Sequence, residues 1–464
     1  MFVFFSQVIR LFTNFLIFVG IARLYGPESV GQFSLAYTVA GICLVFADFG
    51  FDVLLTTEVA KNRKNAVNIV RRYFSMKIIF VGISSLIMIA IPSLQNFSQN
   101  SRILIYTLTL YVVFTSFANF FYAIFRGFEK FEYETKISFA TNLILLILMV
   151  VFGFFKTPLV FLIMLFVFAR LIGVVLCIVK VTSLIGEKIL KIDFSEWKYL
   201  IRQVLIFGIH FLFGNLYFQL DTILLGLWKG DEAVGIYQSA FKIMLLLLLI
   251  PDIAVNTLLP VLSRLYVENI EKWKVLSRLL SKVLMLIVLP ISIVIYFYSE
   301  QLISVAYGKE NFSAAIPILQ IFSIIILIRF IVEPYALMIT TSKRQYIRMI
   351  IVLFATAASY GLNLFIIPRY GIYGAALVSL GVNIFVGLGY IFVNNFNFFK
   401  WTFELRNIVV FLSVILMIAL VKYFHAELFV LGILILLYTV LVYFVGLTSE
   451  DRKVIFADFI IQRT

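Results

Sequence analysis

Apolar residues run through this chain in blocks of the length, about 20 residues, that a helix needs to cross ~30 Å of hydrocarbon. Short polar joints separate them. A membrane β-strand would alternate apolar and polar positions over ~10 residues, and no such alternation is seen. Fourteen spans are read, at about 2–24, 30–52, 74–94, 102–125, 137–155, 158–180, 203–228, 233–262, 280–298, 313–341, 346–367, 371–394, 407–424 and 428–446. The joints carry breaker residues such as Tyr25-Gly26-Pro27, Ile91-Pro92-Ser93 and Ile367-Pro368-Arg369-Tyr370-Gly371. The pattern predicts an all-α polytopic membrane protein whose loops are too short for an extramembranous domain.

The same pattern occurs twice. A shift of 204 positions lays Gly26, Glu28, Val30, Gly31 and Ala36 on Gly230, Glu232, Val234, Gly235 and Ala240. The register continues without a gap through Leu44/Leu248, Asp48/Asp252, Leu54/Leu258 and Leu55/Leu259. A weaker echo joins Lys130-Phe131-Glu132-Tyr133 with Lys343-Arg344-Gln345-Tyr346. Six spans per half is an even number, so the halves insert with one orientation, related by a pseudo-twofold axis along the membrane normal. The expected organisation is two six-helix lobes plus two extra C-terminal helices. Residues 1–180 form the first lobe, 181–202 a cytoplasmic linker, 203–394 the second lobe, and 395–464 spans 13 and 14 with a cytoplasmic tail. Spans 13 and 14 are expected to be a peripheral, lipid-facing pair. A membrane chain that repeats half of itself suits alternating access, in which two bundles rock about one central site.

Composition agrees: 63% of residues are hydrophobic, 13% are charged and the mean hydropathy is +1.07. The net charge of +14 could suggest nucleic acid, but its distribution argues for topology instead. Of the 38 Lys and Arg residues, 27 fall on the side of the joints after even-numbered spans and the C-terminal tail, and 7 on the other. The positive-inside rule places both termini of a multi-pass membrane protein in the cytoplasm. Cys43 and Cys177 sit in apolar runs, so no disulfide framework is implied. No cleavable signal is legible, and the start is expected to lack a short cytoplasmic lead.

Four basic residues remain inside spans: Arg10, Arg170, Lys242 and Arg329. Each costs about 2.5–3.5 kcal/mol at mid-membrane, so each is expected to face a cavity or a partner. Asp221 and Glu333 lie at comparable depth, and Asp48 and Asp252 nearer the cytoplasmic ends. The interior is therefore net positive. Asp221 and Lys242 flank the Gly230 turn almost symmetrically and are expected to pair. Such a bridge either neutralises two buried charges or exchanges one of them with a ligand or coupling ion. Arg329 and Glu333 share a helix face at i, i+4. Pro334 and Pro251 are expected to break their helices beside this charge. His210 shares a face with Asp221 and is either a packing residue or a proton relay. No histidine or cysteine cluster offers a metal site, and no P-loop or dinucleotide fingerprint offers a nucleotide or other cofactor site.

The stretch Phe207-Gly208 … Tyr217-Phe218-Gln219-Leu220-Asp221-Thr222-Ile223-Leu224-Leu225-Gly226 … Gly230-Asp231-Glu232-Ala233-Val234-Gly235-Ile236-Tyr237-Gln238-Ser239-Ala240-Phe241-Lys242 resembles the signature of bacterial polysaccharide flippases. These are the Wzx-type O-antigen transporters of the superfamily that also holds the MATE multidrug exporters. Residues 22–31 and 368–376 are similar to two further landmarks, and the likeness spans about residues 1–400. Span 6 departs from the family, with bulky residues at Phe161–Phe168 where a small-residue run is usual.

The resemblance implies a flippase, not an enzyme. Its cargo would be an undecaprenyl-diphosphate-linked oligosaccharide, its coupling ion H⁺ or Na⁺, and its protein partners a polysaccharide polymerase and chain-length regulators. Diphosphate suits Arg10, Arg170, Lys242 and Arg329, since Arg binds phosphate oxygens in bidentate fashion. Asp221, Glu333, Asp48, Asp252 and His210 are the candidates for ion coupling. A multidrug exporter would want carboxylates for cationic drugs. A flippase of lipid-linked peptidoglycan precursor would share the cationic interior. A polymerase or ligase would carry a large external loop, which is missing here.

Overall fold

The structure, a computed structural model, describes residues 2–94, 97–185, 191–195, 197–394, 405–424, 428–449 and 451–452; for some helical residues, among them 2–8 and 209–218, it describes the backbone alone. The described elements are helices: α1 (Phe2–Asp48), α2 (Phe51–Lys61), α3 (Ala66–Leu94), α4 (Gln99–Gly127), α5 (Phe131–Phe154), α6 (Leu159–Ile185), α7 (Trp197–Glu268), α8 (Ile270–Phe297), α9 (Ser299–Tyr307), α10 (Lys309–Phe312), α11 (Ala315–Thr341), α12 (Gln345–Val393), α13 (Leu405–Phe424) and α14 (Leu428–Leu441). A π-helical turn at Val442–Gly446 follows the last. Among the described residues, nine stretches are long and apolar enough to cross a membrane.

Three of these helices are hairpins. α1, α7 and α12 each break at one glycine in the left-handed region: Gly26 at φ 77°, Gly230 at 82° and Gly371 at 58°. A side chain there would be strained, so the tip of each hairpin needs glycine. The arms then run side by side. Asn14 reaches Tyr37 across the first tip at 3.3 Å, and Tyr237 reaches Asp221 across the second at 2.8 Å. In the third, Gly389 packs against Ile351.

The prolines behave differently from expectation. α7 runs on through Pro251, and α11 through Pro334, with no departure from helical backbone at either. Proline's fixed φ is itself helical, and the one hydrogen bond it removes is tolerated among packed membrane helices. The breaks fall at positive-φ glycines instead.

The chain divides into two compact units, and the division does not follow the repeat. The first holds residues 1–239, 306–312 and 359–375; the second holds 240–305, 313–358 and 376–464. The tips of the second half's hairpins thus belong with the first half. The core of the first unit is aromatic, with Phe51, Tyr73, Phe120, Phe121 and Phe125 buried beside Leu55, Val70 and Cys177. In the second unit, α13 and α14 lay Val410, Val414, Met417 and Tyr438 on Leu286, Leu289 and Ile293 of α8. Tyr438 Oη donates to the Leu286 carbonyl at 2.8 Å. Leu412, Ile415, Leu416, Leu436 and Leu437 on the outer side are exposed, as a lipid-facing pair requires. Among lipids, packing and hydrogen bonds of this kind hold helices together, because tails are as apolar as leucine.

Candidate functional site

The intramembrane charges fall into separate groups. Within the first half, Arg170 on α6 is 9% exposed and donates to Asn142 Oδ1 on α5 at 3.3 Å. Its guanidinium lies 5.7 Å from the centre of the Tyr111 ring, close enough for cation–π attraction. Tyr111 Oη meets Tyr37 Oη at 3.3 Å, and Asn14 Nδ2 donates to the same Tyr37 oxygen at 3.3 Å. Arg10, exposed on the first arm of α1, and Arg170 both act electrostatically on the Tyr37 hydroxyl. Arg170 Nε, Asn14 Oδ1 and Thr115 Oγ1 are buried without a hydrogen-bond partner. Four helices therefore contribute polar groups to one cationic constellation with bonding capacity to spare.

Asp221 forms a second centre, where its carboxylate accepts from a phenol and an amide. Tyr237 Oη donates to its Oδ2 at 2.8 Å, and Asn363 Nδ2 to its Oδ1 at 2.7 Å. One residue along both arms, Gln238 Nε2 donates to Thr222 Oγ1 at 2.5 Å. Asn363 Oδ1, on the amide that holds Asp221, and Gln238 Oε1 are buried without a hydrogen-bond partner. The sequence pointed to Lys242 as the partner of Asp221. The structure places a phenol and an amide on that carboxylate, and Lys242 is half-buried farther along α7.

Arg329, Glu333 and Asp252 do come together, in the second unit. Arg329 Nε donates to Asn383 Oδ1 at 2.7 Å, and Glu333 meets Arg348 at 3.5 Å, so each finds a partner on α12 that spacing along α11 could not reveal. Asp252 lies within the electrostatic reach of Glu333, Arg329 and Arg348.

Asp48 stands apart from the other candidates. Its Oδ1 accepts from Lys77 Nζ at 2.6 Å and Ser116 Oγ at 2.6 Å, and its Oδ2 from Asn119 Nδ2 at 2.9 Å. Lys77 is completely buried, and this carboxylate is its ion-pair partner. A structural role fits those three donors. Nearby, Arg126 grips Glu134 with two hydrogen bonds at 2.7 and 2.6 Å, joining α4 to α5. The side chain of His210 lies outside the described residues.

Sequence reasoning missed the amides and Lys77. Asn142, Asn363 and Asn383 all sit well inside apolar runs, and that placement was the available signal, since an amide in hydrocarbon needs a partner. Lys77 stands near the start of the run 74–94, where a lysine reads as part of the neighbouring joint.

A family profile described as "Polysaccharide biosynthesis protein" matches residues 1–266, and one described as "MatE" matches residues 207–368. The teichuronic acid biosynthesis protein TuaB of Bacillus subtilis (strain 168) is 30% identical over 118 residues, 25% of this chain and 24% of that protein. Among solved structures, the inward closed conformation of the lipid II flippase MurJ superposes with a TM-score of 0.74 at 15% identity, covering 99% of this chain and 98% of the other. The inward-facing form of a MATE-family multidrug resistance transporter gives 0.68 at 16% identity, covering 84% and 94%. At these identities the likeness is one of fold.

Proposed function

Because the chain belongs to the polysaccharide biosynthesis protein family, matched over residues 1–266, we propose that it flips an undecaprenyl-diphosphate-linked oligosaccharide from the inner to the outer leaflet of the cytoplasmic membrane. The repeat unit would be one of O-antigen, capsule or a related surface polymer. The membrane-spanning helices and the flippase-type fold make this a membrane transporter; the cargo is the proposal.

The observation that carries it is the constellation at Arg170. A buried guanidinium with an open Nε, beside a second arginine and three further polar side chains, suits an anion better than a cationic drug. Diphosphate offers the oxygens that such a group binds. The glycan would cross through the polar interior while the polyprenyl tail stayed in lipid.

Coupling to H⁺ or Na⁺ is the finer part of the reading, and Asp221 is its best-supported residue. Its buried carboxylate accepts from Tyr237 and Asn363, and the unbonded Oδ1 of the same Asn363 adds a second oxygen of the kind that suits a small hard cation. Asp48 is better fitted to structure, since Lys77 already neutralises it.

The test is transport in proteoliposomes of a fluorescent diphosphate-linked oligosaccharide, with lipid-linked peptidoglycan precursor and a cationic dye as competitors. Wild type is expected to flip the oligosaccharide and ignore the dye. Arg170→Gln should lose at least tenfold in rate while remaining folded, and Arg170→Lys should retain part of it. Preference for the peptidoglycan precursor would reassign the cargo, and dye transport would overturn the anionic reading.

A further inference from the structure

The two halves of the repeat meet at the hairpin tips, and they meet through the residues that define the repeat. Gly31 and Gly235 are repeat equivalents, as are Pro27 and Asp231. A Cβ on Gly31 would collide with the Asp231 carbonyl, and a Cβ on Gly235 with the Pro27 carbonyl. The same Cβ atoms would stand 3.0 and 2.9 Å from the amide nitrogens of Gly235 and Gly31. The contact is reciprocal, backbone on backbone, and only glycine fits on either side. Neither glycine has a positive φ, so the requirement comes from the contact and not from a turn. The seam continues inward: Gly226 packs on Leu35, and Thr38 Oγ1 donates to Gln219 at 3.1 Å.

Polar bonds around this seam fall into two kinds. Tyr25 Oη donates to the Thr157 carbonyl at 2.5 Å, and its repeat equivalent Lys229 donates to the Pro368 carbonyl at 2.8 Å. Each ties a hairpin tip to a turn of its own half. The other kind crosses between halves. Arg23 Nε donates to the Ala306 carbonyl at 2.9 Å, and Asp231 accepts from Ser98 Oγ at 2.5 Å and Ser101 Oγ at 2.9 Å. All these residues lie on the side that the Lys and Arg distribution assigns to the outside.

We propose that this reciprocal contact is the outer gate of the transport cycle: the Gly31/Gly235 seam with the Arg23 and Asp231 bonds parts when the carrier opens outward, while the Tyr25 and Lys229 bonds persist. The proposal rests on the flippase reading for its purpose but not for its test. Crossing bonds must break for the halves to separate. Bonds within a half move with it as a rigid body.

The first test reads gating without cargo. In a Cys43→Ala, Cys177→Ala background, Thr38→Cys reports from beneath the seam, and a membrane-impermeant maleimide is added from outside. Gly31→Ala and Gly235→Ala, which wedge the backbones apart, are each expected to speed labelling about tenfold or more, a shift in population toward the open state. Arg23→Gln and Asp231→Asn should act in the same direction. Tyr25→Phe and Lys229→Met should not. Unchanged labelling in both glycine variants, or equal acceleration by Tyr25→Phe, would overturn the assignment.

The second test locks the gate. Ser98→Cys with Asp231→Cys, joined by a bifunctional thiol reagent, should stop oligosaccharide flipping and recover on reduction. Transport that continues at full rate in the cross-linked protein would show the contact to be static. If wild type flips no oligosaccharide at all, the labelling test still decides the gate.

Discussion

Lys282 and Lys77 lie on repeat-related helices, one residue out of the 204-residue register, and both are buried completely. Their acids come from different places. Lys77 uses Asp48 of α1 at 2.6 Å, whereas Lys282 uses Asp451, beyond the last helix, at 2.7 Å. Asp252, the repeat equivalent of Asp48, is exposed near Glu333, Arg329 and Arg348. In the second half the chain's tail supplies the anion that α1 supplies in the first. The carboxylate so released sits among the intramembrane charges.

Removing one member of the Lys282–Asp451 pair should be worse than removing both. Asp451→Asn takes the hydrogen-bonded carboxylate away from a buried ammonium and is expected to cost about 3–5 kcal/mol. Lys282→Met should cost less, because the Asp451 side chain, 15% exposed, can reach water. The double variant should recover most of the loss, since a methionine fills the space of the lysine stem. Thermal unfolding of the four proteins in detergent measures this; additive losses would argue against a coupled pair.

The same pair should respond to acid. Burial pushes the Asp451 carboxyl up, but the hydrogen bonds from Lys282 and Thr448 and the charge of Lys282 outweigh it and hold the group below the ordinary 3.8. As pH falls, the unfolded chain takes up the proton first. The stabilisation is therefore present above the unfolded value and lost as pH falls through the folded one. The difference in melting temperature between wild type and Asp451→Asn should stay constant from about pH 5.5 to 8 and shrink below about pH 4. A gap that narrows already near neutrality would point to another group.

Asp48→Asn should destabilise rather than uncouple. It strands Lys77 and is expected to cost about 3–5 kcal/mol, with Asn119→Ala costing about 1.5–3 through its bond to a charged group. Yield and melting temperature should fall together. Asp48→Asn folding normally while losing dependence on an ion gradient would restore Asp48 to the coupling residues.

Asp221→Asn should do the reverse. An amide can keep bonds to Tyr237 and Asn363 once their donors and acceptors turn over, so melting should change little. Dependence of flipping on an H⁺ or Na⁺ gradient should disappear, and the two gradients applied separately identify the ion. Glu333→Gln, which loosens the contact with Arg348, should show a smaller effect. Full gradient dependence in the double variant would leave both carboxylates as static partners.

Periodicity carried the fold a long way, because a membrane helix must be apolar for about 20 residues and its charges must cluster at the ends. The 204-residue repeat led directly to the contact of Gly31 with Gly235. Partner choice was harder to read. Arg329 and Glu333 share a face of α11 and each also reaches α12, and distances between helices leave no trace in spacing along one. The amide on Asp221 went unread because charge was weighed and amides were not; Asn363 was a polar residue deep in an apolar run. Proline misled for a related reason. Breaks at Gly26, Gly230 and Gly371 follow from φ, which only glycine tolerates, whereas Pro334 merely forgoes one bond.

The seam at Gly31 and Gly235 also bears on how a duplicated gene can drift. A contact between side chains can be repaired by a compensating substitution across it, and Tyr25 and Lys229 show two unlike residues serving one purpose. A contact between backbones has no second residue to adjust. With the two copies closed on each other at these glycines neither can change there alone, whereas the acids that face Lys77 and Lys282 come from different parts of the chain. The oldest trace of the duplication should therefore survive at the tips, where it is shortest and most nearly letter for letter.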